Sequence, residues 1–75
     1  MKTLGENDIV RLREPLEAQV IGERRSLVAP KDAIGTVVLV HGDLTKPLAY
    51  EVEIFIPAHD CYVLVTVDPS LIVAA

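Results

Sequence analysis

Prolines at positions 15, 30, 47, 57 and 69 and glycines at 5, 22, 35 and 42 interrupt this 75-residue chain at short intervals. A proline inside a helix costs about 3 kcal/mol and a glycine about 1 kcal/mol relative to alanine. No window between them is long enough for a well-supported amphipathic helix. The chain must therefore build its core from short strands joined by turns, and its hydrophobic pattern supplies them.

Asp8-Ile9-Val10-Arg11-Leu12-Arg13 alternates, with Val10 and Leu12 on one face and Arg11 and Arg13 on the other. Residues 16–33 allow two readings. Leu16-Glu17-Ala18-Gln19-Val20-Ile21 suits a helical turn or one arm of an irregular hairpin reversing at Gly22-Glu23, and the segment is expected to be a long excursion with Glu23, Arg24 and Arg25 near its tip. Ile34-Gly35-Thr36-Val37-Val38-Leu39-Val40 is apolar or β-branched almost throughout, which predicts a central strand covered on both faces. Gly35 at its start predicts a backbone kink or a close approach by a neighbouring strand.

After a polar turn over residues 41–47, Ala49–Phe55 alternates again. Tyr50, Val52 and Ile54 are predicted to face inward, and Glu51, Glu53 and Phe55 outward. Cys61–Val67 is another strong strand. Asp68-Pro69-Ser70 turns the chain, through one 3₁₀ turn, into a short closing strand at Leu71-Ile72-Val73. Closing about five short antiparallel strands into a small barrel removes most exposed edges, so the expected fold is one all-β domain over residues 1–75, with its core in 8–73.

Composition narrows function by exclusion. Hydrophobic residues make up 51% of the chain, enough to close a core without metal or disulfide, while aromatics are confined to Tyr50, Phe55 and Tyr62. Residues 1–32 carry six basic and six acidic groups, so the net charge of −4 lies wholly in the C-terminal half, where Lys46 faces five carboxylates. Duplex-binding proteins depend on neutralising phosphates with Lys and Arg, and this distribution argues against that role. Cys61 is the only cysteine, which fits a reducing compartment. The N-terminus turns acidic without a signal-like apolar stretch, and no apolar run approaches the roughly 20 residues of a membrane helix. The expected location is the cytoplasm.

Three segments together, Asp8-Ile9-Val10-Arg11-Leu12, Ile34-Gly35-Thr36-Val37-Val38 and Ala49-Tyr50-Glu51-Val52-Glu53-Ile54, resemble the small bacterial proteins grouped as the domain of unknown function DUF4926. The likeness runs from about Asp8 to Val73 and implies an SH3-like barrel. The chain departs from that pattern at Ile54, where the family usually has an aromatic, and at Lys31-Asp32-Ala33, which replaces a Gly-Asp common before the G-T-V-V strand. If that glycine marks a left-handed turn, Asp32 is the residue expected to occupy it here. A more distant likeness, to the SH3-like domains of nitrile hydratase and its activator, is one of fold alone.

The candidate chemical groups are sparse. His41, His59, Asp43, Asp60 and Cys61 are ligand types, but no pair has the short spacing of zinc sites, and they read as turn residues, with Cys61 a small core hydrophobe. Glu51 and Glu53 read as the solvent face of an alternating strand, not as an acid–base pair. No catalytic residue, metal or cofactor is expected. The apolar excess points elsewhere: Phe55-Ile56, Val63, Val65 and Ile72-Val73-Ala74-Ala75 exceed what one small barrel interior is expected to hold. The expected function is thus a non-enzymatic interaction module, a homodimer or a docking subunit such as an accessory, antitoxin or immunity protein. Phe55, Ile56, Arg24, Arg25, Glu51 and Glu53 are its candidate contact residues. Arg11, Arg13, Arg24 and Arg25 are basic enough to face the acidic half within one molecule or across a dimer. The alternative is a single-stranded nucleic-acid or ribosome-associated barrel, which needs arginines to converge with Tyr50 or Tyr62 on one exposed face.

Overall fold

The computed structural model describes residues 3–75; Met1 and Lys2, the start of the segment read for targeting, lie outside them. Seven strands form one antiparallel sheet: β1 (Ile9–Leu12), β2 (Leu16–Val20), β3 (Ser26–Ala29), β4 (Ile34–Asp43), β5 (Lys46–Ile56), β6 (Cys61–Val67) and β7 (Ile72–Ala74). Two 3₁₀ turns, Pro57–His59 and Pro69–Leu71, precede β6 and β7. The spatial order is β3-β2-β6-β5-β4-β1-β7. Among the described residues no helix is long and apolar enough to cross a membrane.

That order forces the sheet to curl. β1 and β2 are four strand positions apart, about 19 Å in a flat sheet at roughly 4.8 Å per strand. The chain from Leu12 to Leu16 spans at most about 14 Å. β3 and β4 are also four positions apart and are joined by only residues 30–33. Both connections close only if the sheet bends into a half-barrel. Backbone bonds hold the bend, from Leu12 N–H to the Ala33 carbonyl (3.0 Å) and from Asp32 N–H to the Leu12 carbonyl (2.9 Å).

The concave side is filled by Val10, Leu12, Ala18, Val20, Ala29, Val37, Tyr50, Val52, Ile54, Ile56, Val63, Val65, Val67 and Ile72, with no charged residue among them. The all-β, barrel-like expectation holds, and so do the inward-facing set Tyr50, Val52 and Ile54, the strand Cys61–Val67 and the turn at Pro69. Asp32 adopts the left-handed conformation (φ 69°).

Several details differ. The sheet has seven strands rather than about five, because residues 16–29 form the hairpin β2–β3 instead of a long excursion. Its reversal uses Gly22 at φ 83°, a conformation that glycine adopts without steric cost. β4 is covered on one face only: Val38 and Leu39 are exposed beside a bulge between Val37 and Leu39. A single curled sheet has no second layer to cover its outer face, so no strand in it can be buried on both sides. The expected turn at 41–47 shrinks to Leu44-Thr45, with β4 and β5 paired out to Asp43 and Lys46.

Two aspartates pin turns with their side chains. Asp43 Oδ1 accepts from the Thr45 N–H and hydroxyl, both at 3.0 Å, and Asp68 Oδ1 accepts from the Ser70 N–H at 2.9 Å and its hydroxyl at 2.7 Å. These bonds, the backbone one foremost, hold both carboxyls below the ordinary aspartate value. Their stabilising contribution is present above the unfolded-state pKa and is lost as pH falls through the folded one. The urea midpoint is therefore expected to fall as the pH drops below about 4, and the double variant Asp43→Asn/Asp68→Asn to show a shallower decline. An identical decline in both proteins would contradict this assignment.

Candidate interaction face

Strand register assembles the outer face from residues far apart in sequence. Val73 lies opposite Arg11, and Arg11 opposite Ile34. One step beyond the Gly35–Ile54 pair, Ile34 comes level with Phe55. Phe55 lies opposite Tyr62, and Tyr62 accepts a backbone hydrogen bond from Ile21 at 3.0 Å. Val10, Leu12, Val20, Ile54, Ile56, Val63 and Ile72 beside them point into the core, so these six face outward on one row that crosses β7, β1, β4, β5 and β6 and ends at Ile21, just past β2.

The row is apolar and open. Ile34 is 51% exposed, Phe55 42%, Tyr62 53% and Ile21 48%. Phe55 and Tyr62 are packed on each other, ring centroids 5.1 Å apart and planes at 54°. Tilted aromatic pairs of this kind favour one another by about 0.5–1.5 kcal/mol beyond simple burial. The two rings thus form one continuous aromatic feature. Arg11 supplies the positive charge of the row, while Glu51 and Glu53, half-buried on the same face of β5, supply negative charge beside it.

The candidate contact residues separate on this surface. Phe55 is central. Ile56 is not on it: at 7% exposure it packs in the core, because it is the next residue along β5 and points the other way. Val63, Val65 and Ile72 are likewise core residues, so the apolar excess lies instead in residues such as Ile21, Ile34, Val38, Leu39 and Tyr62. Arg24 and Arg25 are exposed at the β2–β3 tip, where Arg25 Nε pairs with Glu23 Oε1 at 2.8 Å. That hydrogen bond and charge raise the Arg25 pKa. Among the described residues no arginine forms an ion pair with Glu51 or Glu53; Glu51 instead meets His41 at 3.5 Å.

The same register separates the candidate metal-binding and nucleophilic groups. His41 lies opposite Ala49 and Cys61 opposite Ile56. Those levels are seven residue steps apart along β5, about 23 Å at roughly 3.3 Å per residue. A zinc ion bonds its ligands at about 2.0–2.3 Å, so His41 and Cys61 cannot share one. Among the described residues no group of three His, Cys, Asp or Glu side chains clusters to hold a metal. Cys61 is half-buried against the core.

Tyr50 and Tyr62 take opposite fates, one buried in the core and the other on the outer row. Only the Phe55–Tyr62 pair therefore offers an exposed aromatic surface. Comparison with protein-family models, curated proteins and solved structures finds no match to this chain.

Proposed function

We propose that this domain is a protein-interaction module that self-associates through the outer row Ile21–Tyr62–Phe55–Ile34–Arg11. The observation that carries the reading is the continuity of four exposed large apolar residues across neighbouring strands, two of them aromatics packed on each other. Isolated exposed hydrophobics are ordinary, but a contiguous group rimmed by charge marks a contact surface, and aromatic residues dominate such surfaces energetically.

A second copy fits as the partner because the face carries both signs of charge. In a two-fold interface, residue i meets j and j meets i, so Arg11 of each chain can lie against Glu53 of the other. Such charge pairs orient association more than they strengthen it. The likeness to DUF4926 and to SH3-like barrels concerns the fold and names neither a role nor a partner. The nucleic-acid alternative has less support: Glu51 and Glu53 flank the only exposed aromatic pair and repel phosphate.

Sedimentation equilibrium over a wide concentration range tests this. The wild-type chain is expected to approach twice its 8.2 kDa mass, and Phe55→Ser/Tyr62→Ser to weaken association at least 100-fold, since two central aromatics are each worth about 2 kcal/mol or more. A monomeric wild-type chain at millimolar concentration would remove self-association.

A further inference from the structure

The concave side of the half-barrel opens at one end into a cleft of about 740 Å³. Leu4, Pro47, Pro69 and Ile72 make its walls largely apolar, and Tyr50 and Arg13 also line it. It meets the outer row only at Val73, which borders both; Phe55 and Tyr62 do not line it, and Tyr50, five residues before Phe55 on β5, points to the opposite face.

Two features distinguish this cleft from a packing defect. The first is Tyr50, whose ring is buried to 3% exposure although its hydroxyl forms no hydrogen bond with any described residue. No buried side-chain oxygen or nitrogen among the described residues is sealed without a partner. The phenol oxygen is therefore not sealed in the core, and Tyr50 lines the cleft. A core tyrosine normally spends its hydroxyl on a protein partner; here that donor is held ready for something that enters the cleft.

The second feature is charge. In a chain of net charge −4, the described lining holds one cation, Arg13, and no carboxylate. Arg13 forms no ion pair among the described residues, and its backbone N–H is fixed to the Leu71 carbonyl at 2.8 Å. Asp68, close in sequence to the wall, turns its Oδ1 to Ser70.

We propose that the cleft binds a small organic monocarboxylate with an apolar body. Arg13 receives the carboxylate, since a guanidinium fork matches its two oxygens. The body lies against Leu4, Pro47, Pro69 and Ile72, and the Tyr50 hydroxyl donates to the ligand from the wall. The volume suits such a molecule, because small-ligand sites run from about 300 to 1,000 Å³ with mostly apolar walls and few polar groups.

The test is a titration of the ¹⁵N-labelled full chain with 4-phenylbutanoate, followed by amide shifts. Saturable shifts are expected at Leu4, Arg13, Tyr50 and residues 70–74, with a Kd on the order of 1 mM. The neutral 4-phenylbutanamide is expected to bind about tenfold more weakly, as is the acid to Arg13→Gln, since a charge-assisted contact is lost in each case. Tyr50→Phe, which keeps the buried ring, should weaken binding about threefold. Equal affinity for acid and amide, an unchanged Kd in Arg13→Gln, shifts centred on Phe55 and Tyr62, or no saturable shift would each overturn the proposal. Arg13 is exposed, so its variant is expected to fold, and a wild-type-like spectrum without ligand confirms that.

Discussion

Gly35→Val is expected to leave the chain unfolded at room temperature, and Gly35→Ala to cost about 2 kcal/mol. A Cβ built at Gly35 would come within 2.6 Å of Val52 Cγ1, 2.7 Å of Ile54 Cγ1 and 2.8 Å of the Glu53 carbonyl oxygen. The first two are core side chains that are themselves fully packed, and the third is backbone of the paired strand. Nothing there yields cheaply. β4 and β5 would have to separate at the Gly35–Ile54 pair, at the centre of the sheet. The alanine variant should lower Tm by about 8–16 °C, at roughly 4–8 °C per kcal/mol for a domain of this size. Thermal unfolding followed by circular dichroism measures it, and an unchanged Tm would mean that the strands do not approach this closely.

Leu12→Ala is expected to cost about 3 kcal/mol through its lost transfer energy and the cavity left behind. Leu12 is 1% exposed and lies where the curl closes: its backbone bonds to Asp32 and Ala33, and it pairs with Ile72 of β7. A 75-residue chain buries a modest fraction of its surface, so this one truncation removes a large share of a total stability of roughly 5 kcal/mol. Urea denaturation should show the midpoint falling by more than half. A loss below about 1 kcal/mol would show that neighbouring side chains collapse into the space.

How far the sequence could be read depended on whether a feature runs along a strand or across several. Tyr50, Val52 and Ile54 declare their inward face by alternation, and Gly35 declares the close approach of β5 by lacking a side chain in a run of bulky ones. Leu16, Ala18 and Val20 carry the same period-two signal, but the polar residues between them are also good helix formers, and the short turn at Gly22 hides the return strand. The outer row is different in kind. Residues 11, 34, 55 and 62 come from four strands and residue 21 from the turn after β2; they meet only through register, so no periodicity within one segment announces them. Ile56 shows the converse: beside Phe55 in sequence, it lies on the other side of the sheet.

The cleft was hidden for the same reason. Tyr50 reads as a core residue, which it is, and only the three-dimensional arrangement shows that its hydroxyl has no hydrogen-bond partner among the described residues and that Arg13 lies at the same opening. The two surfaces are chemically distinct, one an apolar row set between opposite charges, the other a recess with one cation among its described lining residues. Neither Phe55 nor Tyr62 lines the cleft, so their loss should leave carboxylate binding intact.

The central claim is that the outer row is where one chain meets another, and the concentration dependence of backbone amide shifts tests it most directly. On raising the concentration from micromolar to millimolar, the amides of Ile21, Ile34, Phe55 and Tyr62 are expected to move together along one binding curve, while those of Tyr50 and Ser26 stay in place. Shifts concentrated along the open edge of β3, or a spectrum that does not change with concentration, would contradict it.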